Sequence, residues 1–255
     1  MSKHRRLYSL LAAMAALMMI APGMASADVG FDAASYQGCY DAQAASDNGA
    51  RYSFIKLTQG DWYKNPYASC QFAANKSAGL RDGAYGFADT SESARANADY
   101  FDAYASSLGL INAGVIPVLD WEPSDAGNTT WAKQWLDIVS AYWGTKPLIY
   151  MSANTLTLGN WTAVANADYG LWVAGYPKGY AGETLRNPGS VPYSSSPWAF
   201  AAAWQYSSTG YVFGVGSAVD VDWFYGDAAT WAKYANSPVS TVTHTATAKP
   251  TTSAP

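Results

Sequence analysis

Histidine is nearly missing from this chain: two occur in 255 residues, His4 near the start and His244 near the end. The stretch between them has none, which excludes a Ser-His-Asp triad, a Cys-His pair and a histidine-ligated zinc site. Phosphate-loop sequences of the GxxxxGK[ST] type are absent, and Gly214-Val215-Gly216 alone is a weak glycine signal. After the first two dozen residues no segment is long and apolar enough to span a bilayer. Cysteine is limited to Cys39 and Cys70. Internal repeats are not apparent. Carboxylates are the main catalytic groups left.

The start reads as a secretory leader over residues 1–27. Lys3, His4, Arg5 and Arg6 form a basic segment, Leu7 to Ala21 an apolar core, and Ala25-Ser26-Ala27 a small-residue cleavage site. A mature chain from Asp28 loses Lys3, Arg5 and Arg6, leaving 12 basic against 19 acidic residues, a net charge of −7. An acidic exported domain lacks the basic footprint of a nucleic-acid binder. Export also makes a Cys39–Cys70 disulfide the expectation, with two buried free thiols as the alternative. The 11 Trp and 19 Tyr offer amphipathic faces suited to sugar rings, although core packing also claims such side chains. From Ser237 to Pro255 the composition turns to Ser, Thr, Ala, Pro and Val, which reads as a disordered tail or linker.

The centre of the chain is Gly114 to Pro123, GVIPVLDWEP. Its short, β-branched aliphatic run predicts a buried parallel strand ending on two acids. Alternation puts Asp120 and Glu122 on one face and Trp121 on the other. Two adjacent carboxyls in a desolvated cleft cannot both ionise freely, so one stays protonated and able to donate. A solvated acidic turn is the competing reading of an isolated D-x-E.

Further strands are predicted at Asp28–Asp32, Tyr52–Leu57, Gly83–Ala88, Pro147–Met151, Tyr169–Ala174, Phe200–Tyr206 and Ala218–Phe224. Helices are predicted at Asp41–Gly49, from Asn65-Pro66 to about Ser77, at Asp89–Leu108 with Thr90 or Ser91 as cap, at Thr129–Tyr142 and at Asp227–Tyr234. Strands and helices alternate early, and strands dominate later. The pattern predicts an α/β fold, an irregular TIM-like barrel of about eight strands over residues 28–236, with fewer helices than strands in its second half. Asp32, the Asp120–Glu122 pair and the Asp220–Asp222 pair then gather at the strand ends, where a barrel carries its chemistry. Paired carboxylates with no histidine or metal to share the work match glycosidic bond cleavage.

The chain resembles glycoside hydrolase family 25, the Chalaropsis-type lysozymes. The matching segments are VGFDAASYQG from Val29, FIKLTQG from Phe54, GAYGFA from Gly83 and VLDWEP from Val118. PLIYM from Pro147, LWVAGY from Leu171, WQY from Trp204 and AVDVDWFYG from Ala218 continue in family order. The resemblance implies a flattened barrel with an acidic groove, in a secreted or wall-associated bacteriolytic enzyme. It would cut peptidoglycan glycan strands between N-acetylmuramic acid and N-acetylglucosamine. It further implies Glu122 as general acid, Asp120 as its partner, and Asp32 and Asp220 completing the cluster. Gln37, Lys56, Tyr85, Tyr150, Trp172, Tyr176 and Gln205 match groove positions. Asp222, where the pattern leads one to expect Asn, ranks below Asp220. A monomer is expected, with no cofactor, no metal, no nucleic-acid partner and no membrane insertion of the mature chain.

Two departures stand out. Trp121 replaces an expected aliphatic residue on the outer face of the strand. Gly86 stands where many relatives carry histidine, a change expected to alter subsite contacts. Three rival readings differ in testable features. A family 18 chitinase requires acids where Val115 and Val118 stand. A non-catalytic wall-binding module has no reason to keep a buried acid pair. A peptidoglycan amidase or peptidase would need the missing histidines.

Overall fold

The computed structural model describes residues 27–235; the expected leader and the Ser/Thr-rich tail lie outside the described residues. The strands are β1 (Asp28–Ala33), β2 (Tyr52–Gln59), β3 (Tyr63–Lys64), β4 (Arg81–Phe87), β5 (Ile116–Asp120), β6 (Leu148–Ser152), β7 (Gly170–Ala174), β8 (Ala203–Gly210) and β9 (Val219–Phe224). They pair in the order β1-β9-β8-β7-β6-β5-β4-β2, and β1 pairs with β2 to close the barrel. β3 is a two-residue hairpin return on the edge of β2. The architecture is therefore the α/β barrel of eight strands that the sequence pattern predicts.

Its direction of closure is the feature that strand counting misses. Pairings from β1 through β2, β4, β5, β6 and β7 to β8 are parallel. β9 is antiparallel to both β8 and β1. The mouth formed by the carboxyl ends of the other strands therefore meets the beginning of β9. Asp220 pairs with Asp32 at that mouth, whereas Asp222 pairs with Gly30, two residues deeper.

Six helices cover the barrel: α1 (Ala42–Asp47), α2 (Ala68–Ala78), α3 (Ala94–Ser107), α4 (Thr129–Trp143), α5 (Thr162–Asn166) and α6 (Ala228–Tyr234). The predicted start of the third helix at Asp89 is corrected to Ala94, because Ser93 is the cap and accepts from the Ala96 amide at 3.1 Å. Thr90 and Ser91 are engaged elsewhere, donating to Asp125 and Asp89. The predicted strand at Phe200 starts instead at Ala203. α5 and β3 have no counterpart among the predicted elements, since both are too short for periodicity to register.

Two apolar layers hold the barrel. Between strands and helices, Phe101 packs on Trp135 and Trp143, and Trp121 on Trp131 and Trp161. The barrel interior is filled by aromatics, with Phe54 stacked on Trp172 at 4.3 Å between ring centres. Gly83 makes room for this, since a Cβ there would lie 1.9 Å from the Phe54 ring. Trp231 of α6 plugs the far end against Tyr52, Phe54 and Phe224. The cysteines are joined, Cys39 to Cys70, tying the turn after β1 to α2.

Closing a loop with a separation of 31 residues stabilises the native state by about 3–4 kcal/mol through the unfolded chain. Replacing both cysteines by serine is expected to remove that amount in urea denaturation, with the fold retained. A second expectation concerns acid. Asp82 accepts from Asn75, and Asp102 from the Trp143 indole at 2.8 Å. Burial pushes each carboxyl up to about 7. The folded chain thus binds these protons more tightly than the unfolded one. Their stabilisation is complete below about pH 4 and is lost as pH rises through about 7. Urea midpoints should be higher at pH 5 than at pH 8, and Asp102→Asn should flatten the difference.

Candidate active site

The mouth of the barrel holds an acidic pocket of about 210 Å3. Asp120 is the last residue of β5, so strand alternation turns it inward, and Glu122 follows on the same side. Trp121 turns the other way and is fully buried, and its indole donates to the Ala126 carbonyl at 2.9 Å. The departure at Trp121 therefore lies in the outer layer, as alternation predicts. Asp120 is buried at 7% exposure, whereas Glu122 is exposed towards the groove.

The two carboxyls are in hydrogen-bonding contact with one another. Burial raises Asp120 well above the usual carboxylate range, and the Glu122 charge raises it further. Burial of its carboxyl against the pocket wall also raises Glu122, while the bond from Asp120 and the Lys56 ammonium draw it back down. Asp120 Oδ1 has no other hydrogen-bond partner among the described residues. A contact between two acceptors needs a proton, so the pair holds one between them.

A second carboxyl group of residues faces the first. Asp32, buried at 7% exposure, accepts from the Gln205 side-chain amide at 2.6 Å. Gln205 in turn accepts from the phenols of Tyr150 and Tyr176 through its carbonyl oxygen. Asp32 is raised by burial and by the Asp220 and Asp222 charges. Hydrogen bonds with Asp32 draw both Asp220 and Asp222 back down, so the three carboxyls share protons and do not ionise together. Asp220 is pushed up to about 6, chiefly by burial.

All the site residues expected from the sequence line this pocket except Tyr176 and Asp222. Tyr176 is half exposed at the rim and reaches in only to Gln205. Asp222 is fully buried and accepts from the Trp172 indole at 3.0 Å. Gln37 lines the pocket wall, but its amide is spent on bracing the backbone, accepting from Ala34 and donating to Ala218. Lys56 is the one cation lining the pocket; it donates to Gln59 and lies 4.6 Å from the Phe87 ring centre. Burial lowers its pKa, and the charges of Asp120 and Glu122 raise it.

Tyr36 and Phe87 also line the pocket and were not singled out in the sequence. Phe87 shares its strand face with Tyr85, two residues earlier, so alternation could have found it. Tyr36 offers no such signal, as it sits in a turn with 89% exposure. The expectation for Gly86 is corrected. A side chain at 86 would point outward, meeting Phe101 at 3.1 Å and Trp135 at 3.4 Å. It would enter the layer under α3 and α4, and so touch no bound substrate.

Comparison with known proteins agrees with this geometry. The model for glycosyl hydrolases family 25 matches residues 31–215. Lysozyme M1 of Streptomyces globisporus is 32% identical over 231 residues, covering 85% of this chain and 74% of its own length. The N,O-diacetylmuramidase of Chalaropsis sp is 30% identical over 200 residues, covering 72% of this chain and 90% of its own. The crystal structure of the bacterial lysozyme from Streptomyces coelicolor superposes with a TM-score of 0.71 at 29% identity, over 84% of this chain and 99% of that one. A barrel of this topology, carrying its acids at this mouth and matching that family along most of its length, belongs to glycosyl hydrolase family 25 and is a glycoside hydrolase.

Proposed function

We propose that this chain is a secreted peptidoglycan hydrolase cleaving the β-1,4 bond between N-acetylmuramic acid and N-acetylglucosamine. Glu122 is the general acid and Asp120 its partner. The observation that carries the assignment is the contact between a buried Asp120, with one oxygen unpartnered, and a Glu122 open to the groove. Of the two, only Glu122 reaches a leaving-group oxygen.

Their closeness also selects the chemistry. Inverting glycosidases keep their carboxyls about 6.5–9.5 Å apart to admit water, and retaining ones about 5–5.5 Å for direct attack. Carboxyls adjacent to one another leave no place between them for the water of the inverting scheme. They suit participation of the substrate's own 2-acetamido group. The acetamido N–H would donate to Asp120 Oδ1, stabilise that carboxylate, and leave the shared proton on Glu122. Glu122 then protonates the glycosidic oxygen as its bond to the anomeric carbon breaks. The acetamido oxygen bonds to that carbon, giving a cyclic oxazolinium ion. Water opens the ring and returns its proton to the Glu122 carboxylate. Asp220, across the pocket and ionised above about pH 6, offers a negative field to the developing positive charge.

Secretion rests on the leader pattern of residues 1–27. The chitinase reading finds no support, as Val115 and Val118 are buried apolar residues. Glu122→Gln keeps the shape of the acid and cannot give up a proton. Release of muramitol-ended fragments, read by mass spectrometry after borohydride reduction, should fall by at least about 100-fold, with wall binding kept. Wild-type turnover in this variant would remove Glu122 from the acid role. If wild-type protein binds walls and releases no new ends, the non-catalytic module is the better reading. Lys56 holds the proton affinity of the pair down, so Lys56→Met should raise it. The alkaline limb of the pH–rate profile is expected to move up by about one unit, and a downward shift would contradict the electrostatic account.

A further inference from the structure

A second cavity is larger than the acidic one. It holds about 600 Å3 and opens at the opposite end of the barrel, where β6, β7 and β8 begin. Its wall is built from Lys146 before β6, Asp168 and Tyr169 before β7, Trp198 and Phe200 before β8, and Lys233 in the last turn of α6. Nothing in the hydrolytic reading uses it.

Three properties set it apart from a packing gap. The first is rigidity: the Trp198 indole donates to the Tyr169 carbonyl at 2.6 Å, and Thr145 donates to the Tyr234 carbonyl at 2.7 Å, tying the wall segments together. The second is an uncovered aromatic. Phe200 is 67% exposed, in a chain that buries nearly all its tryptophans. Leaving it in water forgoes apolar burial that a ligand would recover. The third is charge. The ion pairs formed among the described residues are Arg81–Asp28, Arg95–Asp99, Lys133–Asp137 and Arg186–Glu183. Lys146, Lys233 and Asp168 take part in none of them. Lys146 lies 4.7 Å from the Tyr169 ring centre, and its charge also helps to hold Asp137 below the usual carboxylate range. Asp168 adopts a left-handed backbone, φ 65°, a conformation unfavourable for a non-glycine residue.

The cavity thus offers two ammonium groups, one carboxylate and an aromatic rim, in a volume typical of small-ligand sites. A neutral sugar would offer no charged partner to these three groups. A phosphate would face Asp168. A short peptide with two carboxylates and one ammonium complements the set. We propose that this cavity binds the acidic peptide stems that hang from the glycan, its two lysines taking their carboxylates and Asp168 their amine. The site rests on the peptidoglycan reading only for where such peptides come from. Placed on the face opposite the groove, it would hold the enzyme to a neighbouring strand during cleavage.

The test titrates the full mature chain, as Glu122→Gln, with an N-acetylated tetrapeptide of L-alanine, γ-linked D-glutamate, L-lysine and D-alanine. Calorimetry and the Trp198 indole cross-peak in 15N spectra would report binding. Saturable one-to-one binding that shifts Trp198 is expected, weakened at least about tenfold in Lys146→Glu/Lys233→Glu, and weakened also by Phe200→Ala. Acetylating the peptide's lysine should lower affinity in the parent and make no difference in Asp168→Asn. Absence of binding at millimolar peptide, or binding undiminished by the lysine reversal, would overturn the proposal. A shift of Trp198 with an N-acetylglucosamine tetramer and none with peptide would overturn it in favour of a second glycan site. Because no turnover is measured, loss of the Glu122 assignment would leave this result standing.

Discussion

Asp32, Asp120, Glu122 and Asp220 crowd the mouth of this barrel with Asp222 just beneath, and Lys56 is the only ammonium that lines their pocket. So many acids cannot all be charged in so small a volume, because each ionised neighbour raises the cost of the next. The molecule meets this constraint by keeping protons. Asp120 and Glu122 share one, and Asp32, Asp220 and Asp222 share at least one more. The rest of the architecture serves to hold the acids where they must share. Gln205 fixes Asp32 and is itself fixed by two phenols. Trp121 locks the turn that carries Glu122 by bonding to Ala126 and packing on Trp131 and Trp161. Preorganisation of this kind leaves little reorganisation for the reacting state.

Much of this was legible in the chain, and the reasons are local. The aliphatic run before Asp120 could only be a short buried strand, and alternation then fixed the facing of Asp120, Trp121 and Glu122. The same alternation should have been applied to GAYGFA. Tyr85 and Phe87 share the inner face, so Gly86 must point to the helices, where Phe101 and Trp135 leave little room. The cap of α3 was misplaced for a different reason: Thr90, Ser91 and Ser93 are all competent caps, and only tertiary bonds to Asp125 and Asp89 withdraw the first two. The large cavity at the far end was not legible at all, since the residues that line it are spread from Gly144 to Tyr234.

Strand direction is the deepest thing the pattern left open. A run such as AVDVDWF carries no mark of whether it pairs parallel or antiparallel. Both readings make it a neighbour of β1. Only the antiparallel one sets its first acid, Asp220, against Asp32 at the mouth and lowers Asp222 into the core beside Gly30. A parallel strand would have reversed their roles.

Burial of Asp222 also resolves its departure from the pattern that leads one to expect Asn. A fully buried carboxylate with no cation beside it would be expensive. Burial and the Asp220 charge raise this carboxyl well above the usual range, so it is held neutral. A neutral carboxylic acid has nearly the shape of a carboxamide, with one acceptor oxygen and one donating group. Its Oδ1 takes the Trp172 indole proton as an amide oxygen would. Its second oxygen, with no fixed partner of its own, is left to share a proton with Asp32. Acid in place of amide therefore changes the site little while the proton stays. It adds a negative charge beneath Asp32 only when alkaline solution removes that proton, and the substitution is written into the pH dependence of the pocket more than into its shape.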